Sequence, residues 1–387
     1  MTVPVIFLLA GEPSGDLLGA RLIEAMRKRG PSGLRFVGVG GERMVAAGLE
    51  PFFPQKELAH FGLAELLVHV PNLLRRIRQT IAEVKRLHPA ALVTIDAPDF
   101  SFRVAKALKG EGIPLIHYVA PTVWAWRPKR AQKIAKFLDH LMVLLPFEPP
   151  YFTKEGLGCT FTGHSIVESP IAAGDGARYR MRHHLKPESP ILTVLLGSRN
   201  SEITRLEPVF KQTLQQLKAR HPDLVCAVPT VPQIETRVRA AVEDWPLPAI
   251  VTTDDENKYD AFHASRAALA CSGTVALELA LARLPAVIAY RMSPITVMIY
   301  GLFIKMRFAN LVNIMHDRMV VPELLQHHCR PDKLAAACEV LLTDEAARQR
   351  QIAELDRVAE WLGVDESSLP PSERAALVVL QQAKLLT

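Results

Sequence analysis

Apolar runs of strand length recur along the chain, each ending in a polar loop rich in Gly or Pro and followed by a stretch of helical period. Val3 to Ala10 is the first, leading through Gly11-Glu12-Pro13-Ser14-Gly15-Asp16 into Leu17, Leu18, Leu22, Ile23 and Met26 at helical spacing. Arg35 to Val39, Leu92 to Ile95, Pro114 to Val119 and Leu141 to Leu145 continue the series. A region rich in Pro, Gly and charge then runs from about Gly163 to Pro190, after which the alternation restarts with Ile191 to Leu196, Leu224 to Val228, Ile250 to Thr253, Ala267 to Cys271 and Ala286 to Tyr290. Such β-α alternation calls for parallel sheets with helices on both faces. The expected fold class is α/β, with two Rossmann-like, doubly wound domains facing across a cleft. The expected boundaries are a first domain at 1–165, a linker at 166–189, a second domain at 190–350 and C-terminal helices at 351–387 that can cross back to the first domain.

At 387 residues the chain is long enough for two cores, and 49% apolar with 22% charged residues is a globular composition. A net charge of +6 favours anionic partners: nucleic acid, an acidic membrane surface or a phosphorylated small molecule. The basic residues adjoin apolar ones instead of forming a stripe with stacking aromatics, so nucleic acid is not expected. Five scattered cysteines, none in a C-x-x-C pair, suggest buried thiols rather than a disulfide framework or zinc site. The apolar start lacks a basic flank and meets Glu12 and Asp16, unlike a signal peptide. No uninterrupted apolar run reaches the ~18 residues of a spanning helix.

Chemistry is expected at the carboxyl edges of the sheets, where open α/β folds bind ligands. In the first half, Asp96 and Asp99 follow a strand run, Glu12, Ser14 and Asp16 cluster in the first loop, and Tyr118 to Arg130 forms an aromatic and basic turn containing Trp124, Trp126 and Arg127. His117 and His164 are read as structural. The first loop meets neither the dinucleotide fingerprint nor a Walker motif. In the second half, Ser272-Gly273-Thr274 opens a helix and can offer backbone N–H groups to an anion. Glu278 lies one turn further on, either for sugar hydroxyls or as a complement to the helix dipole. Gly197-Ser198-Arg199 adds a guanidinium that can fork onto phosphate. Together these suggest a sugar-nucleotide transferase over a dehydrogenase.

The same residues resemble lipid A disaccharide synthase: Ala10 to Asp16, Ile95 to Phe100, His117 through Arg127, Gly197 to Arg199, Ser272 to Thr274 with Glu278, and Val321 to Gln326. The matches keep order and spacing to about Gln326, and the tryptophan-arginine segment is the most specific. The resemblance implies a GT-B glycosyltransferase of glycosyltransferase family 19. It joins UDP-2,3-diacylglucosamine to 2,3-diacylglucosamine 1-phosphate, releasing UDP and a β-1',6-linked disaccharide 1-phosphate. It also implies that Arg199, Ser272, Gly273, Thr274, Glu278, Asn313, Glu323 and Gln326 contact the UDP-sugar, with Ser198 beside them. Asp96 stands where the family has an essential aspartate. Departures include Pro13, Leu196, Ala120, Thr122 and the Met315-His316-Asp317 turn after Asn313, where Asp317 replaces a more usual Gly. Asp tolerates a left-handed backbone better than most residues.

An inverting transfer needs a base for the acceptor hydroxyl and an electrostatic sink for the leaving diphosphate. Asp96 is assigned the base, with Glu12 and Asp99 in the catalytic set; Asp99 can instead position or serve as a helix N-cap. Ser14, Asp16, Tyr118, Trp124, Trp126 and Arg127 are assigned to the acceptor side. No Asp-x-Asp or His cluster presents itself, so no metal or other cofactor is expected. The acylated substrates give weight to two apolar, arginine-bearing segments, Phe61 to Arg78 and Pro294 to Met315, as surfaces facing phospholipid. The expectation is peripheral attachment to the cytoplasmic face of the inner membrane, with a homodimer as a candidate assembly. Another UDP-sugar GT-B enzyme, of the peptidoglycan-transferase or epimerase kind, is the alternative.

Overall fold

The computed structural model describes residues 3–58, 66–125, 128–293, 307–364 and 369–386, with backbone alone for 66–70. Trp126, Arg127 and most of the Pro294 to Met315 segment therefore lie outside the described residues, as does the start of the Phe61 to Arg78 segment. The chain forms two compact units, Met1–Ser165 with Asp365–Thr387 (unit 1) and Ile166–Val364 (unit 2).

Unit 1 is built on β1 (Val5–Ala10), β2 (Arg35–Val39), β3 (Leu49–Pro51), β4 (Ala91–Ile95), β5 (Leu115–Tyr118), β6 (His140–Val143) and β7 (Gly158–Phe161), in the order β3-β2-β1-β4-β5-β6-β7. Every pairing is parallel. Successive side chains of β1 serve opposite cores: Phe7 and Leu9 join one, Ile6, Leu8 and Ala10 the other. Burial on both faces explains why these strands read as continuous apolar runs.

Unit 2 repeats the plan with β8 (Ile191–Leu195), β9 (Val225–Pro229), β10 (Ala249–Thr252), β11 (Ala267–Cys271), β12 (Ala286–Tyr290) and β13 (Glu323–Leu325), ordered β10-β9-β8-β11-β12-β13 and parallel throughout. In both sheets the winding reverses once, between β1 and β4 and between β8 and β11. Those two points open a crevice at the carboxyl edge of each sheet.

One boundary moves, and the tail takes the crossing path. The stretch 166–189 is not a linker: it carries the 3-10 turns Ser165–Glu168 and Pro170–Ala173 and the helix Gly176–Arg182. Arg178 forks onto the fully buried carboxylate of Asp260 at 2.6 Å through both nitrogens, an ionised group that cannot be left unpaired in the interior. The C-terminal helices divide. Glu345–Leu362 stays in unit 2, whereas Pro371–Gln382 packs on the helix Pro13–Arg29 through Ala375, Ala376, Val379 and Leu380.

Candidate active site

At the β1/β4 switch point two loops touch. A Cβ added at Gly15 would meet the Ile95 carbonyl at 3.3 Å, so a larger residue there would push the helix Pro13–Arg29 off the end of β4. Gln55 ties down the first loop, its amide donating to the carbonyls of Ala10 (3.1 Å) and Glu12 (3.0 Å). Glu12 caps the helix Pro13–Arg29 by backbone geometry, and Ser14, its second residue, stands exposed. Asp96 and Ala97, directly after β4, are both left-handed, with φ of +52° and +44°. Asp accepts that conformation more readily than Ala does, and such strain persists only where surrounding structure enforces it. The Asp96 amide donates to Tyr118 O (3.0 Å), its carbonyl accepts from the Ser101 hydroxyl (2.8 Å), and its half-buried carboxylate receives one long hydrogen bond from Ser14 (3.4 Å). A carboxylate so lightly engaged keeps lone pairs for an incoming hydroxyl.

Other residues expected at this edge sit elsewhere. Asp16 is buried, and its carboxylate is spent on the amides of Gly41 (2.7 Å), Arg43 (3.1 Å) and Met44 (3.0 Å), so it anchors the helix Glu42–Ala46 instead of lining the acceptor side. Tyr118 is 1% exposed within the core beneath β5 and is likewise no wall of the site. Asp99 is exposed in the first turn of Pro98–Ala107, where it complements the helix dipole; the N-cap is Ala97. His117 is fully buried against Phe102, its Nδ1 2.7 Å from the Thr94 hydroxyl, and burial pushes it down to about 3, so it stays neutral.

At the β8/β11 switch point the Gly-Ser-Arg loop is shaped by Glu202. This buried carboxylate accepts from the amides of Ser198 (2.9 Å) and Arg199 (3.3 Å) and from Arg199 Nη1 (2.9 Å). Three-quarters of the Arg199 side chain remains exposed. Both charges lie close enough to act on the Cys271 thiol at the end of β11, which burial pushes up to about 12. The next loop presents Gly273 and Thr274 to solvent, while Ser272 Oγ donates to Ala309 O (3.4 Å). Glu278 is held by Lys258 (3.2 Å); burial pushes its carboxyl up against that attraction.

Residues 6–375 match the family model described as lipid-A-disaccharide synthetase. The lipid-A-disaccharide synthase of Rhodospirillum centenum is 58% identical, covering 97% of this chain and 94% of that protein, and that of Paramagnetospirillum magneticum is 50% identical over 97% of each. The chain belongs to the lipid-A-disaccharide synthase family. It is a glycosyltransferase of lipid A biosynthesis. Solved structures share the GT-B fold at low identity: Acinetobacter baumannii MurG has a TM-score of 0.60 at 14% identity, covering 98% of this chain and all of that one. The S. aureus MnaA-UDP co-structure gives 0.59 at 13%, covering 95% and 99%.

Two of the residues implied by resemblance turn inward. Asn313 is fully buried, its Oδ1 accepting from the amides of Val320 (2.8 Å) and Val321 (2.9 Å) and its Nδ2 donating to Val321 O (2.7 Å) and Glu323. Glu323 also accepts from the amides of Ala309 (2.9 Å) and Asn310 (3.0 Å), so this pair braces the backbone that meets Ser272 and presents no free group of its own. Asp317 does adopt the left-handed turn, φ +49°, that closes Leu311–His316. Gln326, also left-handed at +51°, accepts from the Met292 amide (3.2 Å). Glu202 went unnoticed in sequence although an acidic residue three places after a loop residue is a capping signal; Gln55 carries no such signal.

Proposed function

We propose that this protein transfers 2,3-diacylglucosamine from UDP to 2,3-diacylglucosamine 1-phosphate with inversion, releasing UDP and a β-1',6-linked disaccharide 1-phosphate. Unit 1 takes the acceptor: Asp96 removes the proton of the attacking hydroxyl, with Ser14 and Glu12 at the same switch point. Unit 2 takes the nucleotide, where the Arg199 guanidinium and the loop Ser272-Gly273-Thr274 meet the negative charge that grows on the leaving diphosphate. The observation that carries the reading is Asp96 itself: strained, half-buried and engaged by a single long side-chain hydrogen bond at a sheet's switch point. The UDP named in the MnaA structure supports a uridine diphosphate donor on this fold.

Acylated substrates require access to a bilayer. No described helix is long and apolar enough to cross one. In the helix Leu66–Leu87, Leu73, Ile77, Ile81 and Val84 face the core while Leu74, Arg75 and Arg78 point outward, a pattern suited to peripheral contact with anionic phospholipid on the cytoplasmic face of the inner membrane. A two-substrate assay with product mass tests the function. UDP release that needs both acylated sugars, with a product of their summed mass less UDP, is expected. UDP release with an unacylated or peptidoglycan-type acceptor alone would favour another UDP-sugar transferase.

A further inference from the structure

Glu148 lies just past β6 with 4% of its surface exposed, and among the described residues no cation pairs with it. Its Oε2 accepts from the Leu145 amide (3.0 Å), and its Oε1 accepts from the indole N–H of Trp124 (3.2 Å). Phe147 packs edge-on against the same indole, ring centres 5.3 Å apart. Burying a carboxyl without a counter-charge is costly, so its retention needs a return. Burial pushes it up to about 7, and its charge adds to the burial that pushes up the Cys159 thiol on β7.

What Glu148 holds is the turn 121–125, which departs from β5 through Val119. That residue sits at φ +81°, a conformation β-branched side chains avoid, with its amide pinned to Met142 O (3.0 Å). The turn is thus strained at its root and needs an anchor at its tip. It also adjoins Asp96, whose amide donates to Tyr118 O at the end of β5. We propose that Glu148 is a positioning residue for the acceptor side of the reaction, fixing through Trp124 the turn against which the acceptor sugar is presented to Asp96. The inference rests on the reading that unit 1 takes the acceptor.

Steady-state kinetics with each substrate varied separately test it, using Glu148→Gln, Trp124→Phe and the double variant. Gln can satisfy only one of the two donors, and Phe removes the indole donor while keeping an aromatic ring. The KM for the acylated acceptor is expected to rise roughly 10-fold in each single variant, the scale of one hydrogen bond to a charged group, with the donor KM within about 2-fold of wild type. The double variant is expected to be no worse than the worse single one. Equal rises in both KM values, an unchanged acceptor KM or additive losses would overturn the proposal. Should Glu148→Gln fail to fold, the same split in Trp124→Phe decides. A wild-type enzyme that does not consume the acylated acceptor would sink the functional reading itself, whereas an active wild type with unaltered variants sinks only the role of Glu148.

Discussion

A Cβ placed on Gly11 would stand 2.7 Å from the Cβ of Ala97, so the loop after β1 and the strained loop carrying Asp96 can approach only because residue 11 has no side chain. Gly11→Ala is therefore expected to cost about 1–3 kcal/mol of stability by overpacking. It should also lower turnover more than its stability loss explains, because relief of the clash displaces Asp96. Denaturant unfolding and kcat measured on the same sample check this.

Asp96→Asn keeps the shape of the loop and removes the proposed proton acceptor. Turnover should fall by roughly 10²–10⁴, the usual scale of general base catalysis, while the calorimetric Kd for UDP stays within about 2-fold of wild type. Retained turnover would remove Asp96 from the base role.

Glu202→Ala leaves two backbone amides and one guanidinium nitrogen of the Gly-Ser-Arg loop without their shared acceptor. Loss of such bonds typically costs about 1–3 kcal/mol, so UDP affinity should drop on the order of 10- to 100-fold as Arg199 loses its placement. Calorimetric titration with UDP reads this directly; an unchanged Kd would leave Glu202 a helix cap only.

The pH dependence of stability contains two opposed buried groups. Glu148 is raised from 4.5 to about 7, so the folded state holds its proton more tightly, and this contribution is complete below pH 4.5 and lost as pH rises through 7. His117, lowered from 6.5 to about 3, does the reverse: its contribution is present above pH 6.5 and lost as pH falls toward 3. At about 1.4 kcal/mol per pKa unit, Glu148→Gln should gain roughly 2 kcal/mol relative to wild type between pH 5 and pH 8. Urea unfolding at the two pH values is the check, and a constant difference would contradict it.

Leu74→Ser, at an exposed position flanked by Arg75 and Arg78, should leave the unfolding midpoint nearly unchanged. Co-sedimentation with vesicles containing anionic phospholipid is expected to fall several-fold, and further when Leu66 and Leu67 are also changed to Ser. Unaltered sedimentation would return this helix to a purely structural role.

Strand-length apolar runs revealed the two parallel sheets because strands buried on both faces have no polar alternation to blur them. The loops at both switch points were equally visible, being short polar interruptions of those runs. Side-chain direction was not. Asp16 and Ser14 share one loop motif, yet one clamps three amides of a neighbouring helix and the other faces solvent. Tyr118, Asn313 and Glu323 belong to motifs that suggest ligand contact, and they face inward because strand pairing and loop bracing, neither of which is a local property, decide their orientation. Glu148 had no pattern to announce it, since a lone acid after Pro-Phe becomes informative only once its burial is known.

The helix Pro371–Gln382 completes the core of unit 1 although more than two hundred residues separate it from the last strand of that sheet. During synthesis the intervening unit, continuous in sequence, can therefore finish before the earlier one does, reversing the usual N-terminal-first order. Until that late helix emerges, the helix Pro13–Arg29 lacks the neighbour it packs against, which makes the nascent first half a client for whatever shields apolar surface at the ribosome.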